Sequence, residues 1–291
     1  WRMYPHGMFR IAPIIRITRP INCTLAGTAV WVGAYLTYGY VLTYGIVLAA
    51  LAAVGVVAAA NIQNDILDID ADRIAHPERV LPLGHMQCKT ATVAAAIMLG
   101  IGLTAAAFAG PSVALAACGA TVLLSFYNAY LKRIALVGNL AIGIAGGLPF
   151  VVGGLAVDWP ATFVLPGPLI PASFALLFHV AREVVKDIQD IGGDRVSGII
   201  TFPMVVGTRA AAGTALLVIF LLDFLVLVSI QRGWFSSWYT LLAMAGVVVP
   251  ISVLTALAAS KPDTLRLELC ATGLKIGMVI GMVALVLGRQ H

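Results

Sequence analysis

Two acidic triplets share one spacing in this chain. Asp65, Asp68 and Asp72 in NDILDIDAD are matched by Asp187, Asp190 and Asp194 in KDIQDIGGD, both reading D-x-x-D-x-x-x-D. Carboxylates at i and i+3 on a helix share a face, so each triplet can aim several oxygens at one point. Oxygen ligands suit hard divalent cations, and Mg²⁺ is commonly held by one or two carboxylates while it binds phosphate oxygens. The pattern predicts a diphosphate held between metal ions. A solvated acidic loop at a helix end would explain either triplet alone, but not the shared spacing. Seven of the thirteen acidic residues fall in these two segments, the six named and Asp70, and Glu78 follows soon after the first. Such crowding is unfavourable unless positive charge offsets it.

The surrounding residues extend the site. Asn61 lies one helical turn before Asp65, on the same face, and is a candidate metal ligand through its amide oxygen. Asn64 is expected to point elsewhere and support the site. Arg73 and Arg79 follow the first triplet, Lys186 and Arg195 flank the second, and Lys132 and Arg133 close an apolar run. Arg73, Arg79, Lys132 and Lys186 are candidates to bind the diphosphate, because arginine contacts phosphate bidentately and lysine acts as a point charge. Any one of them also suits a helix end at the membrane surface. Arg19 and Asn22 in RITRPINC stand at the mouth of the first apolar span and could hold a polar acceptor or anchor the chain at the interface.

The elements that must position these groups are apolar. The chain has 291 residues, of which 60% are hydrophobic and only 11% charged, and its mean hydropathy is +0.98. Soluble domains carry about 25% charged residues, so the composition excludes a soluble domain and predicts an all-α polytopic membrane protein. A span needs roughly 20 apolar residues. By that measure nine helices lie near 20–38, 41–63, 90–109, 112–131, 136–157, 168–187, 208–230, 236–259 and 266–288. They are expected to form a helical bundle. No linker divides the chain, so residues 1–291 are read as one domain, with the first acidic motif at 61–84 and the second at 182–207.

The net charge of +5 is distributed singly between spans, which argues for a topology signal and against a nucleic-acid partner. With the N-terminus placed in the cytoplasm, fifteen of the eighteen Lys and Arg residues, Arg2 and Arg10 among them, fall on the cytoplasmic side. That matches the positive-inside rule. Both acidic triplets land on the same side, four spans apart, which hints at two pseudo-equivalent halves. The stretch WRMYPHGMFRIAP lacks an apolar run with a cleavage site and is not expected to be removed. The four cysteines have no metal-ligand spacing and are assigned no function. Asp223, Lys275 and His179 are ionisable residues within spans, and so candidates for function or for buried structural pairs.

These residues and several longer segments resemble the UbiA superfamily of intramembrane prenyltransferases. The likeness runs through RPINC, NDILDIDAD, FYNAYLKR, GNLAIGIAGGLPF and REVVKDIQDIGGD, and is strongest to the archaeal digeranylgeranylglyceryl phosphate synthases. Pro77, Glu78, Arg79, Pro82 and Gly84 match the loop after that family's first motif. Arg182, Glu183 and Lys186, with Thr201-Phe202-Pro203, match its second. Val80, Leu83 and Gln189 depart from the pattern, where proline, serine and glutamate are usual. The resemblance implies a bundle of nine transmembrane helices with a central cavity open to the cytoplasmic side, Mg²⁺ as cofactor and an isoprenyl diphosphate as donor. It also implies an acceptor site that includes Arg19, Asn22, Tyr127 and Asn128, with the aspartate motifs at the cytoplasmic end in a cell membrane.

The reaction expected from this resemblance is transfer of an isoprenyl group, geranylgeranyl in the archaeal branch, to geranylgeranylglyceryl phosphate. An ether of the archaeal type of membrane lipid would result. An aromatic acceptor such as 4-hydroxybenzoate is the alternative, needing a carboxylate partner such as Arg19 and no phosphate pocket. A divalent-cation transporter is more remote, since its acids should lie near the midplane on broken helices.

Overall fold

The structure, a computed structural model, describes residues 11–39, 42–196 and 198–290. Arg2, Arg10 and the first ten residues of the stretch weighed as a leader lie outside the described residues. The rest folds as α1 (Ile11–Ile17), α2 (Pro20–Tyr38), α3 (Tyr44–Leu67), α4 (Ile69–Ala75), α5 (Cys88–Ala109), α6 (Pro111–Ala129) and α7 (Val137–Leu155). There follow α8 (Trp159–Thr162), α9 (Leu169–Val196), α10 (Phe202–Val206), α11 (Thr208–Gln231), α12 (Ser237–Ala243), α13 (Val249–Ser260) and α14 (Thr264–Gly288). A π turn at Met244–Val248 joins α12 to α13, so the two act as one rod. Among the described residues the only β feature is an isolated bridge between Phe235 and Arg289.

Among the described residues seven helices are long and apolar enough to cross a membrane: α3, α5, α6, α7, α11, the α12–α13 rod and α14. Two further long helices, α2 and α9, occupy the other positions expected for spans. The first is diluted by Pro20, Asn22 and several threonines and tyrosines, the second by Arg182, Glu183, Lys186 and the aspartates of its last turns. The chain is a multi-pass membrane protein. Large apolar side chains such as Ile97, Ile101 and Phe108 on α5, and Leu217, Phe220 and Phe224 on α11, face outward. The interior is rich in small residues instead, as expected where lipid is the solvent and close backbone approach holds helices together.

That close approach centres on α7, which packs against both α2 and α9. A Cβ at Gly33 would lie 1.9 Å from the Phe150 carbonyl oxygen, and one at Gly153 would lie 1.9 Å from that of Val30. These two glycines let α2 and α7 touch backbone to backbone. Local signals fix the helix ends: proline opens α2 and α6, where its missing N–H is not needed, and Thr43 Oγ1 accepts from the Ile46 amide at 3.3 Å to cap α3. The loop after α4 is pinned by Val80 and Leu81, buried with Ile17, Ile62 and Ala91. Val80, where the resemblance suggests proline, thus works as an apolar anchor.

Candidate active site

The first triplet sits on a break in the helix. Asp65 belongs to α3, Asp68 ends it with non-helical backbone angles (φ −100, ψ 9), and Asp72 lies in the short α4. The second triplet is carried differently, because α9 continues as one 28-residue helix through Asp187, Asp190 and Asp194. The same spacing therefore rests on two backbone solutions. Packing of α4 against α9 brings the triplets together. Five of the six carboxylates (Asp68, Asp72, Asp187, Asp190 and Asp194) line one polar cavity of about 120 Å³. The sixth, Asp65, is buried beside it and held by Arg19 Nη2 at 2.5 Å, with Arg79 Nη1 3.8 Å away.

Most of these carboxylates have a nitrogen partner. Arg79 Nη1 donates to both oxygens of Asp72 at 2.6 Å. Lys132 pairs with Asp68 Oδ1, and Asn64 Nδ2 donates to Asp68 Oδ2 at 2.5 Å. Asn139 Nδ2 donates to Asp187 Oδ2 at 2.8 Å. His76 spans the two motifs, with Nε2 3.6 Å from Asp190 Oδ1 and Nδ1 3.5 Å from Glu78. Arg19 holds its place at some backbone cost. Its φ of 54 and ψ of 70 are left-handed, a conformation that costs a non-glycine residue roughly 1–2 kcal/mol.

A second cavity, of about 560 Å³ and mostly apolar, opens from the first. Arg19, Asn64, Arg79, Tyr127, Glu183 and Lys186 line both. Its walls come from α2, α3, α6, α7, α9, α11, the α12–α13 rod and α14, with Leu124, Phe174, Phe178, Val226 and Leu285 among the apolar lining. A charged head and a long apolar tail could thus be bound end to end.

Several expected residues fall where the sequence placed them, and some do not. Asn22 and Asn128 line the apolar cavity, and Asn128 Nδ2 donates to Ala60 O at 3.0 Å. Asn61 lines that cavity too, yet donates to Thr18 O at 2.9 Å and is not among the residues of the acidic cavity. Asn64, expected to point away, is the residue that touches Asp68 and lines the acidic cavity. Asn64 lies four residues before Asp68, and the Asp68 amide still bonds to Asn64 O at 2.9 Å, so ordinary helix geometry puts the two side chains on one face. Arg73 pairs with Asp70 at 2.7 Å on the surface and lines neither cavity. Its position one turn after Asp70 on a short helix directs it outward.

Asp223 accepts a hydrogen bond from Ser252, and no ion pair joins it to Lys275 among the described residues. Two polar neighbours went unread in the sequence. Asn139 could have been found as the one polar side chain in α7. His76 lies in a segment of ordinary loop composition that carried no signal, whereas Thr201, singled out by the resemblance, lines the acidic cavity.

The electrostatics outside the spans are those of crowded, partly buried carboxylates that a cation would relieve. Burial, reinforced by Asp190 and Asp68, pushes the Asp194 carboxyl up to about 6. Burial also raises Asp72 above the ordinary carboxylate range, although the Arg79 guanidinium opposes it. Among the described residues no three His, Cys, Asp or Glu side chains already form a ligand set for one ion. Their oxygens are turned toward Arg19, Arg79, Lys132, Asn64 and Asn139 instead. The donor set is nonetheless all oxygen and strongly acidic, the chemistry Mg²⁺ prefers.

Comparison with known proteins follows this geometry. The chain matches the family described as UbiA prenyltransferase over residues 25–272. It is similar to the digeranylgeranylglyceryl phosphate synthase of Halobacterium salinarum, with 34% identity covering 95% of this chain and 96% of that protein. Among solved structures, one described as digeranylgeranylglyceryl phosphate synthase in membranes aligns with a TM-score of 0.76 at 27% identity, covering 97% of this chain and 99% of that one. A UbiA homolog from Archaeoglobus fulgidus bound to GPP and Mg²⁺ aligns with a TM-score of 0.61 at 18% identity, covering 94% and 99%, a likeness of fold.

Proposed function

Because the chain belongs to the UbiA prenyltransferase family, we propose that it moves an isoprenyl group, geranylgeranyl in this reading, from its diphosphate to the free hydroxyl of geranylgeranylglyceryl phosphate. The observation that carries this is the junction of an acid-lined cavity with a mostly apolar one. The reading is also supported by the name of the Halobacterium relative. Residues 1–291 act as a single domain of nine transmembrane helices, with α2 and α9 joining the seven more apolar ones. The N-terminus and both aspartate motifs face the cytoplasm, as the Lys and Arg distribution suggests.

In this reading Asp65, Asp68, Asp72, Asp187, Asp190 and Asp194 would hold Mg²⁺, which would supply the positive charge that makes the diphosphate a better leaving group. Arg79, Lys132 and Lys186, which line the acidic cavity, would turn from their carboxylate partners toward the diphosphate oxygens. Asn64 and Asn139 orient Asp68 and Asp187, a positioning role that matters because misdirected ligands lose affinity. Leu124, Phe174, Phe178 and Val226 enclose the tail and exclude water from the allylic carbon. Arg19, Asn22, Tyr127 and Asn128 stand on the acceptor side. The acceptor oxygen bonds to C1 as the C1–O bond to the diphosphate breaks, and the hydroxyl proton is released. Asn61 and Arg73 have no contact in this arrangement that gives them a step.

Purified protein supplied with geranylgeranyl diphosphate and Mg²⁺ is expected to yield the diether phosphate from geranylgeranylglyceryl phosphate, and no product from 4-hydroxybenzoate. EDTA should stop the reaction. Prenylation of the aromatic acid alone would replace this reading with an aromatic prenyltransferase.

A further inference from the structure

The large cavity holds positive charge that the donor diphosphate does not explain. Lys275 lies midway along α14, and the residues that follow it on the same stripe, Met278, Met282 and Leu285, also line the cavity. Among the described residues it has no hydrogen-bond or ion-pair partner, and the charged groups within its electrostatic reach are Arg182 and Lys186, both cations. Arg182 and Lys186 share one carboxylate, Glu183, at 3.0 and 3.2 Å. The Nε of Arg182 is buried with no hydrogen-bond partner. Arg182 and Lys275 line the large cavity and are not among the residues of the acidic one. An unpaired ammonium on a membrane span is unfavourable, and its retention points to a bound anion or a function.

Geometry says which anion. With the diphosphate in the acidic cavity, the acceptor lipid would reach the allylic carbon through the large apolar one. Arg182 lies five residues before Asp187 on α9, about 7.5 Å along the helix at 1.5 Å per residue. That offset suits a group separated from the attacking hydroxyl by a glycerol backbone. With Lys186 assigned to the diphosphate, Arg182 and Lys275 bring two positive charges to the large cavity and Glu183 offsets one, which favours an anionic headgroup there, such as a phosphate monoester of about −1.5 to −2. We propose that Arg182 and Lys275 form a second anion subsite, separate from the metal-binding triplets, that holds the phosphate monoester of the acceptor lipid. This rests on the glyceryl phosphate reading above and assigns the residues that select it over an uncharged or aromatic acceptor.

The test compares geranylgeranylglyceryl phosphate with its dephosphorylated alcohol as acceptors, in wild type and in Lys275→Met. Wild type should prefer the phosphorylated lipid. Lys275→Met should lower kcat/KM for it roughly 10- to 100-fold, the size expected for one charge-assisted hydrogen bond, through acceptor KM and with donor KM held within about twofold. The preference between the two acceptors should shrink in step, and Lys275→Arg should restore most of it. If Lys275→Met does not fold, Arg182→Gln beside Lys275→Arg gives the same comparison. Equal losses on both acceptors, or a change confined to donor KM, would overturn the subsite while leaving the function intact. A wild type that prenylates 4-hydroxybenzoate and neither glyceryl lipid would overturn the function itself, and the subsite with it.

Discussion

Asp68→Asn and Asp187→Asn are each expected to lower prenyl transfer by roughly 10³-fold, the upper range for removing one preorganised electrostatic contact. The two residues come from different triplets and different helices, Asp68 at the end of α3 and Asp187 within α9. If each triplet bound its own ion for structural reasons, only one of the substitutions would affect chemistry. If both grip one metal-bridged diphosphate, both must. Asparagine keeps the shape of the side chain and can still meet Lys132 or Asn139 with its carbonyl oxygen, so the fold should survive. Single-turnover product formation with labelled geranylgeranyl diphosphate, beside a thermal melt in detergent, separates the effects. A variant that melts like wild type and keeps more than about a tenth of its rate would remove that residue from the site.

Asp194→Asn is expected to move stability and activity in opposite directions. The Asp194 carboxyl is pushed up to about 6 by burial and by Asp190 and Asp68, whereas an unfolded aspartate titrates near 3.9. Between those values the folded protein binds more protons than the unfolded chain, so metal-free stability falls as pH rises through about 4 to 6. At pH 7 the charge is held against the fold unless a cation joins it. Replacing Asp194 by the neutral amide removes that penalty, and the metal-free variant should melt higher than wild type at pH 7. The pH dependence across the window should flatten as well. Mg²⁺ should stabilise wild type more at pH 7 than at pH 5, and should do less for the variant, whose prenyl transfer should fall by at least about 10²-fold. A metal-free variant less stable than wild type at pH 7 would show that Asp194 contributes packing or hydrogen bonding that outweighs its charge.

Much of this architecture was legible in the residue pattern because membrane spans leave a strong signal. The starts and ends of α2, α5, α6, α11 and α14 fall within a few residues of the apolar runs that announce them. The meeting of the two triplets at one cavity was legible too, since their shared spacing had no other economical explanation. What could not be read was the backbone between the charges. Asp68 ends α3 while Asp190 continues α9, although the local sequences look alike. Arg73 and Arg79 looked equivalent as basic residues after the motif. Only the loop pinned by buried Val80 brings Arg79 back onto Asp72. His76 reaches Asp190 from more than a hundred positions away, a contact no local pattern could reveal. Lys275 stood out as an ionisable residue in a span, but that it faces the same cavity as Arg182 needed the packing of α14 against α9.

Anomalous scattering from Mn²⁺ in crystals of the full chain, soaked with an unreactive thio analogue of geranylgeranyl diphosphate, tests the shared grip most directly. The expected result is metal at roughly 2.0–2.2 Å from oxygens of both triplets, a distance typical of Mg²⁺-type sites, with the diphosphate bridging them and its tail in the apolar cavity. Metal held by one triplet alone, or a diphosphate bound away from the acidic cavity, would contradict it.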